Sequence, residues 1–144
     1  MNRSFVFIGL AVVMTAAPAS AASLFVDTFD APDQLVEATL SNSPESEENA
    51  TADPANILGG YRDIMVDSGH TVFGRSTTAQ VVAGRFSFDN DQGAGATIMI
   101  TYDGQGDGTL GGVDLTGGGL FDAFQFDVTF ATDPVPYTIT VDSG

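Results

Sequence analysis

The sequence predicts an all-β fold, an antiparallel β-sandwich of jelly-roll type. Three features lead to it. Apolar residues recur at every second position in several short segments, the spacing of a strand with one face on a core. Clusters of glycine, aspartate, asparagine and proline separate these segments as turns would. No long segment has the helical periodicity of an amphipathic helix.

In chain order, residues 1–21 have the three-part layout of a secretory leader. Arg3 precedes an uncharged run of 13 residues, 5–17, and Pro18-Ala19-Ser20-Ala21 supplies the small side chains a signal peptidase reads, with cleavage after Ala21. The run is shorter than the roughly 20 apolar residues of a membrane-spanning helix. The chain has no cysteine, which excludes lipid attachment at such a residue and any disulfide. Residues 22–144 are then expected to form one domain, stabilised by its core or by a bound ion.

Residues 24–29 (LFVDTF) alternate as a first strand, and residues 34–40 (QLVEATL) as a second, with a short helix as the competing reading. Residues 41–56 (SNSPESEENATADPAN) are acidic and nearly free of apolar side chains, so they are expected to form a disordered, solvated loop. This loop includes the formal sequon Asn49-Ala50-Thr51. Residues 57–69 (ILGGYRDIMVDSG) read as a turn and a strand. Tyr61, Asp63, Met65 and Asp67 fall on one side, and Arg62, Ile64 and Val66 on the other. The glycine pair marks a bulge or a close backbone approach. Arg62 is expected in a structural ion pair with an acid across a strand. Residues 68–75 read as a hairpin turn and the start of the next strand. Residues 79–89 (AQVVAGRFSFD) make one strand, with Val82, Phe86 and Phe88 on a common face. Ile98, Ile100 and Tyr102 share one side of the next strand. After a glycine-rich loop, Phe124, Phe126, Val128 and Phe130 form one apolar face, and Tyr137, Ile139 and Val141 alternate in a last strand. The expected core joins Phe86, Phe88, Ile98, Ile100, Phe124, Phe126, Val128, Phe130, Ile139 and Val141. A calcium-binding solenoid is set aside, because the echoes at Gly111-Gly112-Val113-Asp114 and Gly118-Gly119-Leu120-Phe121-Asp122 have no third copy.

The chain carries 19 acidic residues against four arginines and no lysine, a formal charge of −15. Such a surface repels phosphate backbones and anionic lipid, so nucleic acid is excluded as a partner and a membrane surface disfavoured. Extracellular polysaccharide and envelope components remain. Sugar platforms need exposed amphipathic rings; there is no tryptophan, and only Tyr61, Tyr102 and Tyr137 are candidates. His70 is the only histidine, which with no cysteine argues against zinc. A Ser–His–Asp triad around Asp67, Ser68 and His70 is formally possible, but no nucleophile-elbow motif accompanies it, so His70 is read as a surface turn residue and no catalytic residue is assigned.

The loop from Asp103 to Asp114 has the densest arrangement of candidate metal ligands. Against a twelve-position calcium loop, Asp103 stands first, Gln105 third, Asp107 fifth, Gly108 sixth and Leu110 eighth, with Asp114 closing at the twelfth. Asp103, Gln105, Asp107 and Asp114 would supply side-chain oxygens to calcium, and Thr109 its carbonyl. Gln105 stands where Asp or Asn is usual, and Asp114 is shorter than the usual Glu. The competing reading is a hairpin loop whose aspartates favour turns.

Gly59-Gly60-Tyr61-Arg62-Asp63 and Gly111-Gly112-Val113-Asp114-Leu115-Thr116, behind a leader and before a phenylalanine-rich strand, resemble segments that recur in bacterial exported proteins carrying a PEP-CTERM sorting tail. The resemblance covers most of the mature chain and implies an envelope or extracellular location. The Pro-Glu-Pro tail itself does not occur in this sequence. The expectation is a secreted, non-catalytic envelope or extracellular-matrix module of structural or adhesive type, with a carbohydrate-binding jelly-roll domain as the alternative.

Overall fold

The computed structural model of the chain describes residues 4–9, 24–51, 53–92, 95–105, 110, 112–120, 123–125, 127–131 and 135–141, with residues 4–9 and 128–130 described by their backbone. Eight strands occur among them: β1 (Ser4–Gly9), β2 (Gln34–Thr39), β3 (Glu45–Ala50), β4 (Tyr61–Ser68), β5 (Ser76–Val82), β6 (Arg85–Asn90), β7 (Ala96–Thr101) and β8 (Asp127–Phe130). They form two antiparallel sheets, ordered β2-β5-β6-β1-β8 and β3-β4-β7. The fold is the expected all-β sandwich.

Alternation sets the core. In β4, Arg62, Ile64 and Val66 are buried, while Tyr61, Asp63 and Met65 are half-buried on the other face. In β2, Gln34, Val36 and Ala38 point inward, and their register partners in β5 are Val81, Ala79 and Thr77, also buried. Directly opposed residues share a face, so the inner faces of the two sheets meet in one cluster. It comprises Phe29, Val36, Ala38, Ile64, Val66, Ala79, Val81 and Phe86, with Phe88, Ile98 and Ile100 packed against it. Burying each large aliphatic side chain contributes about 1.5–3 kcal/mol. A second, smaller cluster pairs Val26 and Leu58 with Leu24, Tyr102, Leu110 and Leu115.

Several elements differ from expectation. Residues 24–29 make no regular strand; they lie along the 56–58 backbone through the Asp27↔Ile57 bridge and a Leu58 N–H to Val26 carbonyl bond of 2.8 Å. The competing helix at 34–40 does not form. Within the 41–56 loop, residues 45–50 are strand β3, paired with β4 from Glu45↔Val66 to Ala50↔Tyr61. An edge strand needs backbone partners on one side only, so an acidic hexapeptide can serve. Residues 79–89 are a hairpin, not one strand. Ala83 and Gly84 have φ of 51° and 73°, the positive pair that a two-residue hairpin loop requires. The turn puts Val81 in the core and leaves Val82 exposed, off the face it was expected to share with Phe86 and Phe88. Residues 135–141 form no strand, with Tyr137, Ile139 and Val141 exposed, and Phe124 lies outside the core. Phe126 and the side chains of Val128 and Phe130 lie outside what is described.

The glycine pair marks a close approach, as expected. Gly59 sits at φ 73° in the 3-10 turn Leu58–Gly60, and a Cβ there would stand 2.7 Å from Leu110 Cδ2 and 3.3 Å from the Gly104 nitrogen. Gly104 and Leu110 are thereby held close against the start of β4.

Candidate functional site

The densest polar constellation is built around Arg62. Its place among the inward residues of β4 drives a guanidinium into the sandwich, where it has no exposure. An unpaired charge there would be prohibitively costly, and four residues of the 27–32 segment and β2 meet it. Nη1 donates to Asp27 Oδ1 at 3.0 Å and Oδ2 at 2.8 Å, Nε donates to Gln34 Oε1 at 2.9 Å, and Nη2 donates to the Pro32 carbonyl at 2.7 Å. The Phe29 ring lies 5.7 Å from the guanidinium carbon, within cation–π range.

Asp27 is equally buried, and its carboxylate is shared. Oδ1 accepts from the Phe29 amide at 2.7 Å, and Oδ2 accepts from the Tyr102 hydroxyl at 2.9 Å. Burial pushes the Asp27 carboxyl above the usual carboxylate range, against the opposing pull of Arg62, the Phe29 amide and Tyr102. Burial also raises the Tyr102 phenol well above its ordinary value, and the Asp27 charge adds to the rise. Gln34 Nε2 continues the network to the Glu47 carbonyl of β3 at 2.5 Å. One guanidinium therefore ties β4 to β2, to the 27–32 segment and, through shared partners, to β3 and the exit of β7. The expected structural ion pair exists, but its acid, Asp27, lies in the 24–29 segment and not across a strand.

His70 is buried, not a surface turn residue. Its Nε2 lies 3.1 Å from the Ser76 carbonyl and 3.3 Å from Thr77 Oγ1. The Ser68 hydroxyl oxygen accepts from the His70 backbone amide, and Asp67 accepts from Ser43. The ring thus contacts neither Ser68 nor Asp67 through the recorded bonds, and the formal triad is not assembled by them. A shallow depression at this end of β4 and β7 is lined by Asp67, Gly69, Gly95, Ala96 and Thr97.

The calcium-loop residues are placed in part. Asp103 is half-buried, Gly104 lies against Gly59, and Gln105 is exposed. Leu110 packs against the smaller hydrophobic cluster. Asp107 and Thr109 lie outside the described residues. Asp114 is engaged locally: Oδ1 accepts from the Thr116 amide at 2.9 Å and hydroxyl at 2.6 Å, and Oδ2 from the Gly118 amide at 2.6 Å. These donors hold its carboxyl below the usual range. Among the described residues no group of three or more His, Cys, Asp or Glu side chains is gathered for a metal.

The sequence pointed to Arg62 but not to its partners Asp27 and Gln34, nor to Tyr102, which donates to Asp27. A signal was present: an arginine in phase with Ile64 and Val66 demands buried acceptors. Which acids and amides meet it depends on how the sheets stack, which local spacing does not encode. No protein-family model, no curated protein and no solved structure matches the chain.

Proposed function

We propose that the chain is exported behind a cleaved leader, residues 1–21, and serves as a non-catalytic structural or adhesive module of the cell envelope or extracellular matrix. The observation that carries this reading is the burial of its main polar constellation. Arg62 and Asp27 have no exposure, so the groups best equipped for chemistry hold the layers together and have no route to a substrate. The outward face of β4 and β7 presents Tyr61, Asp63, Met65, Thr97 and Met99, a surface suited to contact. The leader layout, the acidic charge and the resemblance to PEP-CTERM-type exported proteins support the location.

The alternative, a carbohydrate-binding domain, is favoured by Tyr61 on that outward face beside acids that can bond sugar hydroxyls. A glycan array and a pull-down on isolated envelopes separate the two. Saturable retention on envelopes without a glycan signal supports the structural reading. Reproducible glycan binding lost in Tyr61→Ala supports the alternative.

Calcium in the 103–114 loop is a separable part of the proposal, with Asp103, Gln105, Asp107, Thr109 and Asp114 as ligands and Leu110 as the anchored residue. Asp114 would have to exchange its turn donors for the ion. A melt in calcium against chelator, with magnesium as control, tests it. At about a hundred times the dissociation constant the ion would add about 2.7 kcal/mol. A shift no larger than with magnesium, or one retained in Asp107→Ala, removes the site.

A further inference from the structure

Strand β1 lies within the stretch read as the leader, yet it occupies an interior place in its sheet. Its backbone pairs with β6 on one side, from Ser4↔Asn90 to Ile8↔Phe86, and with β8 on the other, through Phe7↔Phe130, Ile8↔Val128 and Gly9↔Asp127. Removing residues 1–21 would open the whole length of β6 and leave β8 without its sheet neighbour. An open edge beside Phe86 and Phe88 would be a template for any free strand.

We propose that in the exported chain residues 137–141 (YTITV) take the place of β1 between β6 and β8. The inference rests on the leader reading given above. Four observations converge on this occupant. Residues 137–141 alternate as a strand does but belong to no strand, and Tyr137, Ile139 and Val141 are exposed. The direction is right: β1 runs antiparallel to both neighbours, and a segment returning from β8 through a hairpin is antiparallel to β8. The register closes. Setting Tyr137, Ile139 and Val141 opposite Asn90, Phe88 and Phe86 puts Thr140 where Phe7 pairs with Phe130, a hairpin centred on Val135 between Pro134 and Pro136, residues suited to a turn. The fourth observation is chemical. Asp89 Oδ1 is buried and has no hydrogen-bond partner among the described residues, and the residue paired with Asp89 is Phe5, which has no side-chain donor. In the new register Thr138 stands there and brings a hydroxyl. Unsatisfied buried oxygens are rare in settled folds, so the site suits Thr138 better than Phe5.

The test uses the full chain expressed with its leader in a Gram-negative host, comparing the exported form with leader-bearing protein retained in the cytoplasm. Intact mass identifies each form. Because the chain has no cysteine, Ser87→Cys with Thr140→Cys reports adjacency without competing thiols. The expected result is a cross-link in the exported form, with amide exchange at residues 137–141 at least about tenfold slower than in the leader-bearing form. Thr138→Val should lower the melting midpoint of the exported form and leave the leader-bearing form unchanged. Cleaved protein with no cross-link and fast exchange at 137–141 overturns the strand replacement alone, whether or not β6 finds another cover. Export of protein still carrying residues 1–21 overturns the leader reading and the proposal with it.

Discussion

The body of the sandwich, residues 26–102, and the C-terminal part, residues 112–141, are held in different ways. The body buries a continuous apolar cluster and a guanidinium whose three nitrogens all donate hydrogen bonds. The C-terminal part contributes Leu115 to the smaller cluster, and its turn at 114–119 is held by Asp114 and Thr116 bonds within the turn itself. Its one strand among the described residues, β8, pairs with β1. The lesson is that regular alternation marks the capacity to be a strand, while burial depends on whether a neighbour is there to pair with. Most strands of the body pair with one another, and only β6 also reaches β1; β8 has β1 as its sheet neighbour.

The largest expected effect lies in the body. Asp27→Ala strands the Arg62 guanidinium in the interior and should cost about 3–5 kcal/mol, whereas Asp27→Leu with Arg62→Met should restore much of the loss. Urea titration of the three proteins measures both. A loss below about 1 kcal/mol in Asp27→Ala would mean that the pair behaves as a surface contact and that the body is not locked by it.

The second effect contrasts two isoleucines. Ile64→Ala, in the main cluster, should cost about 2–5 kcal/mol. Ile139→Ala should change the leader-bearing chain by no more than about 0.5 kcal/mol. Equal losses in that form would erase the distinction between the regions. A loss at Ile139 that emerges only after export would sharpen it.

The third effect is alkaline. Tyr102 holds its proton in the fold well above 10.0, because burial and the Asp27 charge disfavour the phenolate. The unfolded chain releases that proton near 10.0, so the folded state binds more protons in this window. Its contribution is complete below 10.0 and is lost as pH rises through the folded value. Phenolate absorbance should show Tyr102 ionising only as the protein unfolds. Tyr102→Phe should remove that coupling at a cost of about 1.5–3 kcal/mol for the lost bond to a charged group.

Much of the body was legible in its residues. The two faces of β4 follow from Arg62-Ile64-Val66 against Tyr61-Asp63-Met65, and Gly59-Gly60 announced a close approach. The hairpin at Ala83-Gly84 was not legible, because alanine is an uncommon choice for positive φ and apolar residues continue through the turn. Strand β3 was hidden for a related reason: Glu45–Ala50 carries no apolar face, and its pairing comes from the β4 backbone. Residues 137–141 erred in the opposite direction, since their alternation is strong but pairing is a property of the neighbour. For the candidate site, Arg62 stood out by its phase, while Asp27, Gln34 and Tyr102 became partners only through the stacking of the two sheets.

Strand β3 also bears on the colloidal behaviour of the protein. It is an edge of its sheet and carries Glu45, Glu47 and Glu48, so two copies approaching edge to edge bring like charges together along the line where backbone bonds would form. The Debye length is about 8 Å at physiological ionic strength and about 3 Å at 1 M salt. The guard is therefore electrostatic and works best in dilute salt. Concentrated salt weakens it and makes pairing through β3 easier.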